Sequence, residues 1–193
     1  MPPEGNAPPN FIHVYPDVLS RAQCGEIIER FERDPRVRPS WGQYSAEPSN
    51  RTGAMLALGD HAEWRDVATL VNAAIEQRIE HYAGVFLALK RVLMSGKCRL
   101  TLPLLERIAP GQGFDWHFDG CLPGTERRVL ASILYLADVP EGGRTEFAYQ
   151  GATIQPAAGA LVLFPPFWTH LHRGASPEAG LKYNLTNFLT LTD

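Results

Sequence analysis

The sequence predicts an α+β protein that is mainly β, with two N-terminal helices packed on one side of a sandwich or barrel of short strands. Three observations lead to this fold class. Two stretches before residue 90 repeat apolar residues at three- and four-residue steps, as amphipathic helices do. From about Lys97 onward, short β-rich runs alternate with Gly and Pro. The length of 193 residues suits a single domain with a full core.

The composition is ordinary for a soluble protein and argues against several classes. Hydrophobic residues make up 45% and charged residues 20%, and a net charge of -3 gives no reason to expect nucleic-acid or membrane binding. The three cysteines form no Cys-x-x-Cys unit, which disfavours a zinc ribbon or a disulfide scaffold. Residues 1–10 are polar and proline-rich, without the features of a signal peptide. We expect a cytoplasmic protein with a flexible leader, 1–10, and a single domain, 11–193.

The first half of this domain, residues 11–96, is expected to be its helical support. It opens with a short strand that ends in a turn at Pro16. Ser20 can then cap a helix, and apolar residues recur at helical spacing until the chain reaches Asp34. These signals predict a strand followed by a first amphipathic helix.

Beyond this helix the chain predicts a loop, a second helix and then the β half. Residues 38–53 are polar and turn-rich, and loops of this kind often carry binding residues. A second helix is predicted from about His61 to Tyr82, with one apolar face. Residues 97–193 form the β half, which holds all the catalytic candidates. Its β-rich runs are CRLTLPLLERI, FDWHFD, RRVLASILYLADV, RTEFAY, ALVLFPP, WTHLHRG and KYNLTNFLTLT.

The chemistry of the chain centres on the stretch ERIAPGQGFDWHFDG, and within it on His117 and Asp119. On a β-strand, residues two apart lie on the same face, so the imidazole and the carboxylate would point together. One neutral nitrogen and one anionic oxygen are two of the three ligands in the facial triad of non-haem Fe(II) oxygenases. An ordinary charged pair at a strand end is the alternative. A third ligand could come from His170 or His172, and the period of two does not choose between them.

The residues after these histidines resemble a known family, the 2-oxoglutarate- and Fe(II)-dependent oxygenases of the prolyl 4-hydroxylase-like branch. In that branch the distal histidine is followed by Pro, Gly and then a basic residue about ten positions on. His172, Pro177, Gly180 and Lys182 match this pattern. The resemblance covers roughly residues 97–191. It includes APGQGFDWHFDG, the YLADVPEGGRTEF signature and the IQPAAGALVLFPP turn and strand.

The resemblance implies a role for each matching residue. It completes the metal set as His117, Asp119 and His172. In the family the basic residue, here Lys182, binds the distal carboxylate of 2-oxoglutarate. The tyrosine of the second signature, here Tyr135, tends to hydrogen-bond the same carboxylate.

The resemblance also implies the fold, the cofactors and the reaction. We expect a double-stranded β-helix (jelly-roll) core, Fe(II), and 2-oxoglutarate as co-substrate. A need for ascorbate, which the family often uses to keep iron reduced, stays open. The expected reaction is hydroxylation of a prolyl or amino-acid residue or of a small molecule by O2, with 2-oxoglutarate decarboxylated to succinate and CO2. Oligomeric state stays open. One departure is Ile108, where the family often has a tyrosine, which removes one hydroxyl near the co-substrate.

Four further residues are candidates for the substrate pocket. Trp116 and Trp168 stand beside the metal-ligand motifs, although large aromatics beside a site are often only packing. His170 and Arg128 are the other two, and for His170 a plain surface position is the stronger interpretation. The segment 121–127, the turn-rich loop and Trp168 are candidates for the pocket mouth by position.

Two other functions compete with the hydroxylase. The first is a non-catalytic jelly-roll binding module, which the intact set of candidate ligands disfavours. The second is a cupin-like metalloenzyme that uses no keto acid, which Lys182 disfavours.

Overall fold

The computed structural model describes residues 10–39, 52–125 and 127–193. The predicted leader apart from Asn10, and residues 40–51 of the predicted loop, lie outside the described residues.

The first helix begins where its capping signal predicts. Strand β1 (His13–Tyr15) is followed by helix α1 (Arg21–Arg33). The Ser20 hydroxyl accepts a hydrogen bond from the backbone N–H of Gln23, and the Gln23 side chain accepts one from the backbone N–H of Ser20. This reciprocal capping box satisfies N–H groups that a helix start would otherwise leave unpaired.

The second helical region is longer than the sequence predicts, and it is divided. Two 3-10 turns (Leu58–Asp60 and Ala62–Trp64) lead into α2 (Arg65–Val85), and α3 (Leu87–Met94) follows. The prediction of two N-terminal helices is therefore incomplete, because the described chain has three α-helices. Phe86 leaves the helical conformation with φ -109° and ψ 82°, two residues after Gly84.

Strands make up most of the remaining chain. After β1 they are β2 (Arg38–Pro39), β3 (Ala54–Ala57), β4 (Cys98–Leu100), β5 (Leu104–Ile108), β6 (Phe114–His117), β7 (Arg128–Tyr135), β8 (Glu141–Gly142), β9 (Thr145–Phe147), β10 (Ala152–Ile154), β11 (Leu161–Phe164), β12 (His172–Gly174), β13 (Pro177–Ala179) and β14 (Lys182–Leu191).

In the described part of the chain these strands form two main antiparallel sheets. The larger, eight-stranded sheet has the order β1-β11-β7-β14-β5-β3-β2, with β4 also paired to β14. The smaller, four-stranded sheet has the order β10-β9-β12-β6, and β8 pairs with β13 in a separate ribbon. This mixed architecture of helices and antiparallel sheets agrees with the α+β, mainly β prediction.

One face of β14 packs in the hydrophobic core, and the opposite face lines a cavity. Tyr183, Leu185 and Leu189 belong to a core cluster that also holds Phe31 of α1 and Ile75 of α2. The helices therefore cover one face of the larger sheet. The alternate residues of β14, beginning at its first residue, line a cavity on the opposite face. No helix in the three described ranges is long and apolar enough to cross a membrane.

Candidate active site

Three of the predicted ligands meet at one edge of the smaller sheet. His117 ends β6 and His172 begins β12, and the two residues are direct partners across these antiparallel strands. Asp119 follows two residues after the end of β6. One ligand atom from each of the three residues lies within 4.8 Å of the others. Strand pairing thus places both imidazoles, and a short bend brings the carboxylate to them.

The histidine rings turn the same nitrogen toward the carboxylate. His117 Nε2 is 3.7 Å from Asp119 Oδ1, and His172 Nε2 is 3.5 Å from Asp119 Oδ2. The Nδ1 atoms face backbone oxygens, at 2.6 Å from Asp115 O and 2.9 Å from His170 O. Because a carbonyl oxygen only accepts, each neutral ring carries its proton on Nδ1 and keeps the Nε2 lone pair for a metal.

Burial favours the ligand form of His172. This ring is buried, and burial lowers its pKa from 6.5 to about 4, although the Asp119 carboxylate acts in the opposite direction. The imidazole is therefore neutral at physiological pH, the state in which histidine binds metals.

The Asp119 main chain is held by two neighbouring segments. Its backbone N–H donates to Pro166 O at 2.9 Å, and Arg128 Nη1 donates to Asp119 O at 2.8 Å. The prediction that His117 and Asp119 share one strand differs from the structure, in which β6 ends at His117. The bend, fixed by these hydrogen bonds, is what brings the carboxylate to the imidazole side.

The structure also separates the two histidines that periodicity could not. His170 belongs to a 3-10 turn (Trp168–His170), not to a regular strand. Its Nε2 lies 3.0 Å from Asn10 O and its Nδ1 3.0 Å from Thr169 Oγ1. His170 is buried, so the interpretation of a surface histidine is wrong. Its ring lies outside the cluster of candidate ligands.

The three ligand candidates line a cavity of about 640 Å³ between the two sheets. The cavity reaches from the metal-ligand edge to the start of β14. Its apolar wall includes Leu104, Phe114, Ile133 and Phe188. Segment 121–127 contributes Leu122, Pro123 and Thr125, as its predicted place at the pocket suggests.

Lys182 lines the far end of this cavity, and Tyr135, which is not among the lining residues, packs beside it. Lys182 is 3% exposed, and its Nζ is 5.5 Å from the centroid of the Tyr135 ring. The Tyr135 hydroxyl is 2.6 Å from Thr145 Oγ1, and burial raises the pKa of Tyr135 above its ordinary value. Burial lowers the pKa of Lys182 from 10.5 to about 8, while the nearby charge of Glu106 raises it. The ammonium is thus a buried cation, and burial without water favours the binding of an anionic ligand.

Of the four other pocket candidates, only Arg128 lines the cavity. Its guanidinium carbon lies 3.7 Å from the centroid of the Phe188 ring, which also lines the cavity. Trp116 alternates with His117 on β6, and its ring faces the Arg173 guanidinium at 4.9 Å. Trp168 is 65% exposed, and like Trp116 and His170 it is not among the residues that line the cavity. We therefore place these three outside the pocket wall.

A polar group on the cavity wall was not predicted from the sequence. Glu106 of β5 and Asn184 and Thr186 of β14 are joined by hydrogen bonds and line the cavity beside Lys182. Residues 182, 184 and 186 lie on one face of β14 because strand side chains alternate with a period of two. This period could have suggested Asn184 and Thr186 once Lys182 was placed in the site.

Comparison with known proteins finds a family model that matches the β half of the chain. Residues 104–190 match the model described as the 2OG-Fe(II) oxygenase superfamily, and this range contains the three clustered ligand candidates and Lys182. The match covers just under half of the chain, from β5 into β14. The chain is a 2-oxoglutarate-dependent dioxygenase, an oxidoreductase that uses Fe(II) and 2-oxoglutarate. No significant match to a curated protein was found.

Solved structures of prolyl hydroxylases share the fold of this oxygenase. A viral collagen prolyl hydroxylase from Paramecium bursaria Chlorella virus-1 matches with a TM-score of 0.68 at 16% identity, over 95% of this chain and 97% of that chain. A Pseudomonas putida prolyl-4-hydroxylase matches with a TM-score of 0.67 at 20% identity, over 95% of this chain and 94% of that chain. A third match is a Trichoplax adhaerens prolyl hydroxylase in complex with a peptide fragment of hypoxia inducible factor. Its TM-score is 0.74 at 13% identity, over 94% of this chain and 84% of that chain. The facing antiparallel sheets are consistent with the predicted jelly-roll core.

The residues of this oxygenase fit both of its cofactors. Two imidazole nitrogens and one carboxylate oxygen are the donor set that suits non-haem Fe(II) with open positions. Among the described residues, none accepts a hydrogen bond from the Lys182 ammonium, whose pKa responds to burial and to the charge of Glu106. A buried ammonium of this kind is stabilised by a carboxylate ligand, and 2-oxoglutarate carries one at the end away from its keto group.

Proposed function

We propose that this oxygenase is a hydroxylase in which His117, Asp119 and His172 hold Fe(II) and Lys182 binds the distal carboxylate of 2-oxoglutarate. The substrate class is a prolyl or amino-acid residue, or a related small molecule. In the overall reaction, one oxygen atom of O2 enters the C–H bond of the substrate to give C–OH. The other oxygen enters succinate as 2-oxoglutarate loses CO2. The catalytic domain is proposed to comprise residues 11–193.

The observation that carries the proposal is the position of both groups in one cavity. The two Nε2 atoms and the Asp119 carboxylate meet at one end, and the Lys182 ammonium lies in the wall of the same space. Bound Fe(II) supplies the oxidising chemistry. The chain itself orients the imidazoles through their Nδ1 protons and neutralises the distal carboxylate with Lys182. The apolar walls keep water from the reacting groups.

The Asp119 carboxylate favours hydroxylation over a related chemistry. Halogenases related to the resembled family lack this carboxylate, which makes room for a halide. Here Asp119 is present, and both of its oxygens face an imidazole. Tyr135 is proposed as a second contact for the co-substrate, since its ring lies beside the Lys182 ammonium.

An anaerobic titration of the metal-free protein with Fe(II) and 2-oxoglutarate tests this proposal. The wild type is expected to give the weak visible charge-transfer band of the chelate, and then to form succinate when O2 and ascorbate are added. Asp119→Ala and His172→Ala are expected to abolish Fe(II) binding. His170→Ala, the matched control, is expected to retain it because its ring lies outside the cluster.

The same titration separates the competing functions. Fe(II) binding that survives in both Asp119→Ala and His172→Ala would contradict the proposed ligand set. A folded wild-type protein that binds its ligands but forms no succinate would indicate a binding module. Turnover that continues without 2-oxoglutarate would indicate a keto-acid-independent metalloenzyme.

A further inference from the structure

One strand of the smaller sheet contains a glycine that its own backbone does not require. Gly174 belongs to β12, where it pairs with Thr145 of β9 on one side and with Phe114 of β6 on the other. Its φ lies outside the positive region that favours glycine. A glycine within a strand weakens that strand, and it often marks a β-bulge or a place where a ligand approaches closely.

The irregularity beside Gly174 does not explain the glycine. The register between β12 and β6 shifts between the pair His172–His117 and the pair Gly174–Phe114, so the extra residue lies on β6. The pairing of β12 with β9 is regular through the same three residues of β12. Gly174 therefore lies on the strand that does not bulge.

Packing does not require a glycine at this position either. A Cβ on Gly174 would lie 3.4 Å from Phe114 Cδ2 and 3.7 Å from Lys182 Nζ, which are ordinary van der Waals distances. Gly113 differs in this respect, because its Cβ would lie only 2.7 Å from Gly174 O. An alanine would thus fit at position 174 among the described residues, and the remaining explanation is a ligand that approaches closely.

The missing side chain leaves a notch in the cavity wall beside the Lys182 ammonium. Directly paired residues have their side chains on the same face of a sheet, so Thr145 and Phe114 flank Gly174 on its inner face. All four residues line the cavity. The notch therefore has Gly174 at its base, Thr145 and Phe114 at its sides, and the ammonium of the opposite sheet above it.

The notch stands one strand repeat away from a metal-ligand candidate. Because strand side chains alternate, His172 and Gly174 lie on the same face of β12, about 6.6 Å apart. A ligand bound beside His172 can therefore reach the notch by running along a single strand. The distal carboxylate of 2-oxoglutarate, which lies beyond the two methylene groups that follow its keto carbon, suits this separation.

We propose that Gly174 is a specificity-determining residue that admits the distal carboxylate of the co-substrate to Lys182, an inference that rests on the proposed function. The carboxylate takes the space that a Cβ would fill, and its oxygens accept hydrogen bonds from the ammonium. A side chain at position 174 holds the carboxylate away from Lys182, and such hydrogen bonds weaken steeply as their geometry worsens. The notch thereby selects 2-oxo acids that carry a second carboxylate.

Anaerobic calorimetry with Mn(II) in place of Fe(II) tests this role by comparing two ligands. Both 2-oxoglutarate and oxalate can chelate the metal, but oxalate has no distal carboxylate to reach the notch. Gly174→Ala is expected to weaken 2-oxoglutarate binding by about tenfold, the equivalent of one charge-assisted hydrogen bond, and to leave the affinities for Mn(II) and oxalate unchanged. Its thermal unfolding temperature should not fall, because the backbone and the packing accept an alanine.

Two further variants provide the controls. Gly25→Ala, in α1, adds a methyl group that meets no atom within 4 Å, and it is expected to leave 2-oxoglutarate binding unchanged. Lys182→Met removes the partner of the carboxylate, so Gly174→Ala added to that variant should cost little further affinity. Substitutions that act on one interaction are not additive, whereas independent ones are.

Four results would overturn the role of Gly174. They are wild-type affinity for 2-oxoglutarate in Gly174→Ala, an equal loss of affinity for oxalate, a lower unfolding temperature or an unfolded variant, and additive effects of the substitutions at Gly174 and Lys182. The third would show that the fold itself requires the glycine. If the wild type neither binds 2-oxoglutarate nor forms succinate, the proposed function fails. If it does both and one of the four results is found, only the role of Gly174 fails.

Discussion

Replacement of Lys182 is the perturbation that most directly tests the co-substrate site. The ammonium is 3% exposed and lies in the wall of the cavity that holds the ligand cluster. A hydrogen bond between two charged groups contributes about 1.5–3 kcal/mol, which corresponds to roughly 10- to 150-fold in a dissociation constant. Lys182→Met is therefore expected to weaken 2-oxoglutarate binding by that factor. Lys90→Met, at an exposed lysine, is expected to leave it unchanged.

The affinity for 2-oxoglutarate is expected to fall as the pH rises. Burial lowers the pKa of Lys182 to about 8, so the side chain loses its proton and its charge as the pH rises through 8. At pH 9 about one molecule in ten of the free protein retains the charge, and 2-oxoglutarate affinity is expected to be about tenfold lower than at pH 7. Lys182→Arg keeps its charge throughout this range, so its affinity should not fall.

Anaerobic calorimetry with Mn(II) in place of Fe(II) measures all four proteins between pH 7 and 9. The wild type should lose affinity above pH 8, the Arg variant should not, and the Met variant should be weak at every pH. Identical profiles for the Lys and Arg forms would refute the role of lysine protonation. Wild-type affinity in the Met variant would refute the carboxylate site itself.

Three further predictions concern groups that support the site and the fold. Tyr135→Phe removes one buried hydrogen bond, so it should lower the unfolding free energy by about 0.5–1.5 kcal/mol in urea and also weaken 2-oxoglutarate binding in calorimetry. Asp34→Ala should cost about 1.5–3 kcal/mol in urea unfolding at pH 7, because Asp34 Oδ2 accepts from Trp64 Nε1 at 2.7 Å. Hydrogen bonds from the Arg36 guanidinium, and to a lesser extent from Trp64, hold the Asp34 pKa well below its ordinary 3.8. The contribution of the Asp34 carboxylate is therefore present at neutral pH and is lost on acidification below 3.8, and an equal acid dependence in wild type and variant would contradict it. Gly159→Ala should cost more than about 1 kcal/mol in thermal unfolding, because φ is +83° and a Cβ would lie 2.1 Å from Leu19 O.

The parts of the molecule that the sequence predicts well depend on local patterns. The capping box at Ser20 marks the start of α1, and a spacing of two brings His117 and Asp119 near each other. The position of Lys182 follows from a motif whose residues are close together in the chain. Each of these features is set within a few residues, so sequence reasoning can reach it.

The features that the sequence did not predict depend on pairing between distant segments. Glu106 meets Asn184 only through the register of β5 against β14, which no local spacing reveals. His170 was indistinguishable from His172 until the 3-10 turn before β12 was known. The break at Phe86 that creates a third helix follows Gly84 by two residues, and an isolated glycine is a weak signal because helices tolerate it.

The direct pairing of His117 with His172 across two strands has a consequence for metal choice. Both imidazoles are oriented by backbone hydrogen bonds and by the pairing of β6 with β12. A rigid set of two nitrogens and one oxygen ranks divalent ions by the general affinity order, in which Co(II), Ni(II) and Cu(II) lie above Fe(II). The supply of metal ions around the protein, more than the protein itself, then decides whether iron is the ion that occupies it.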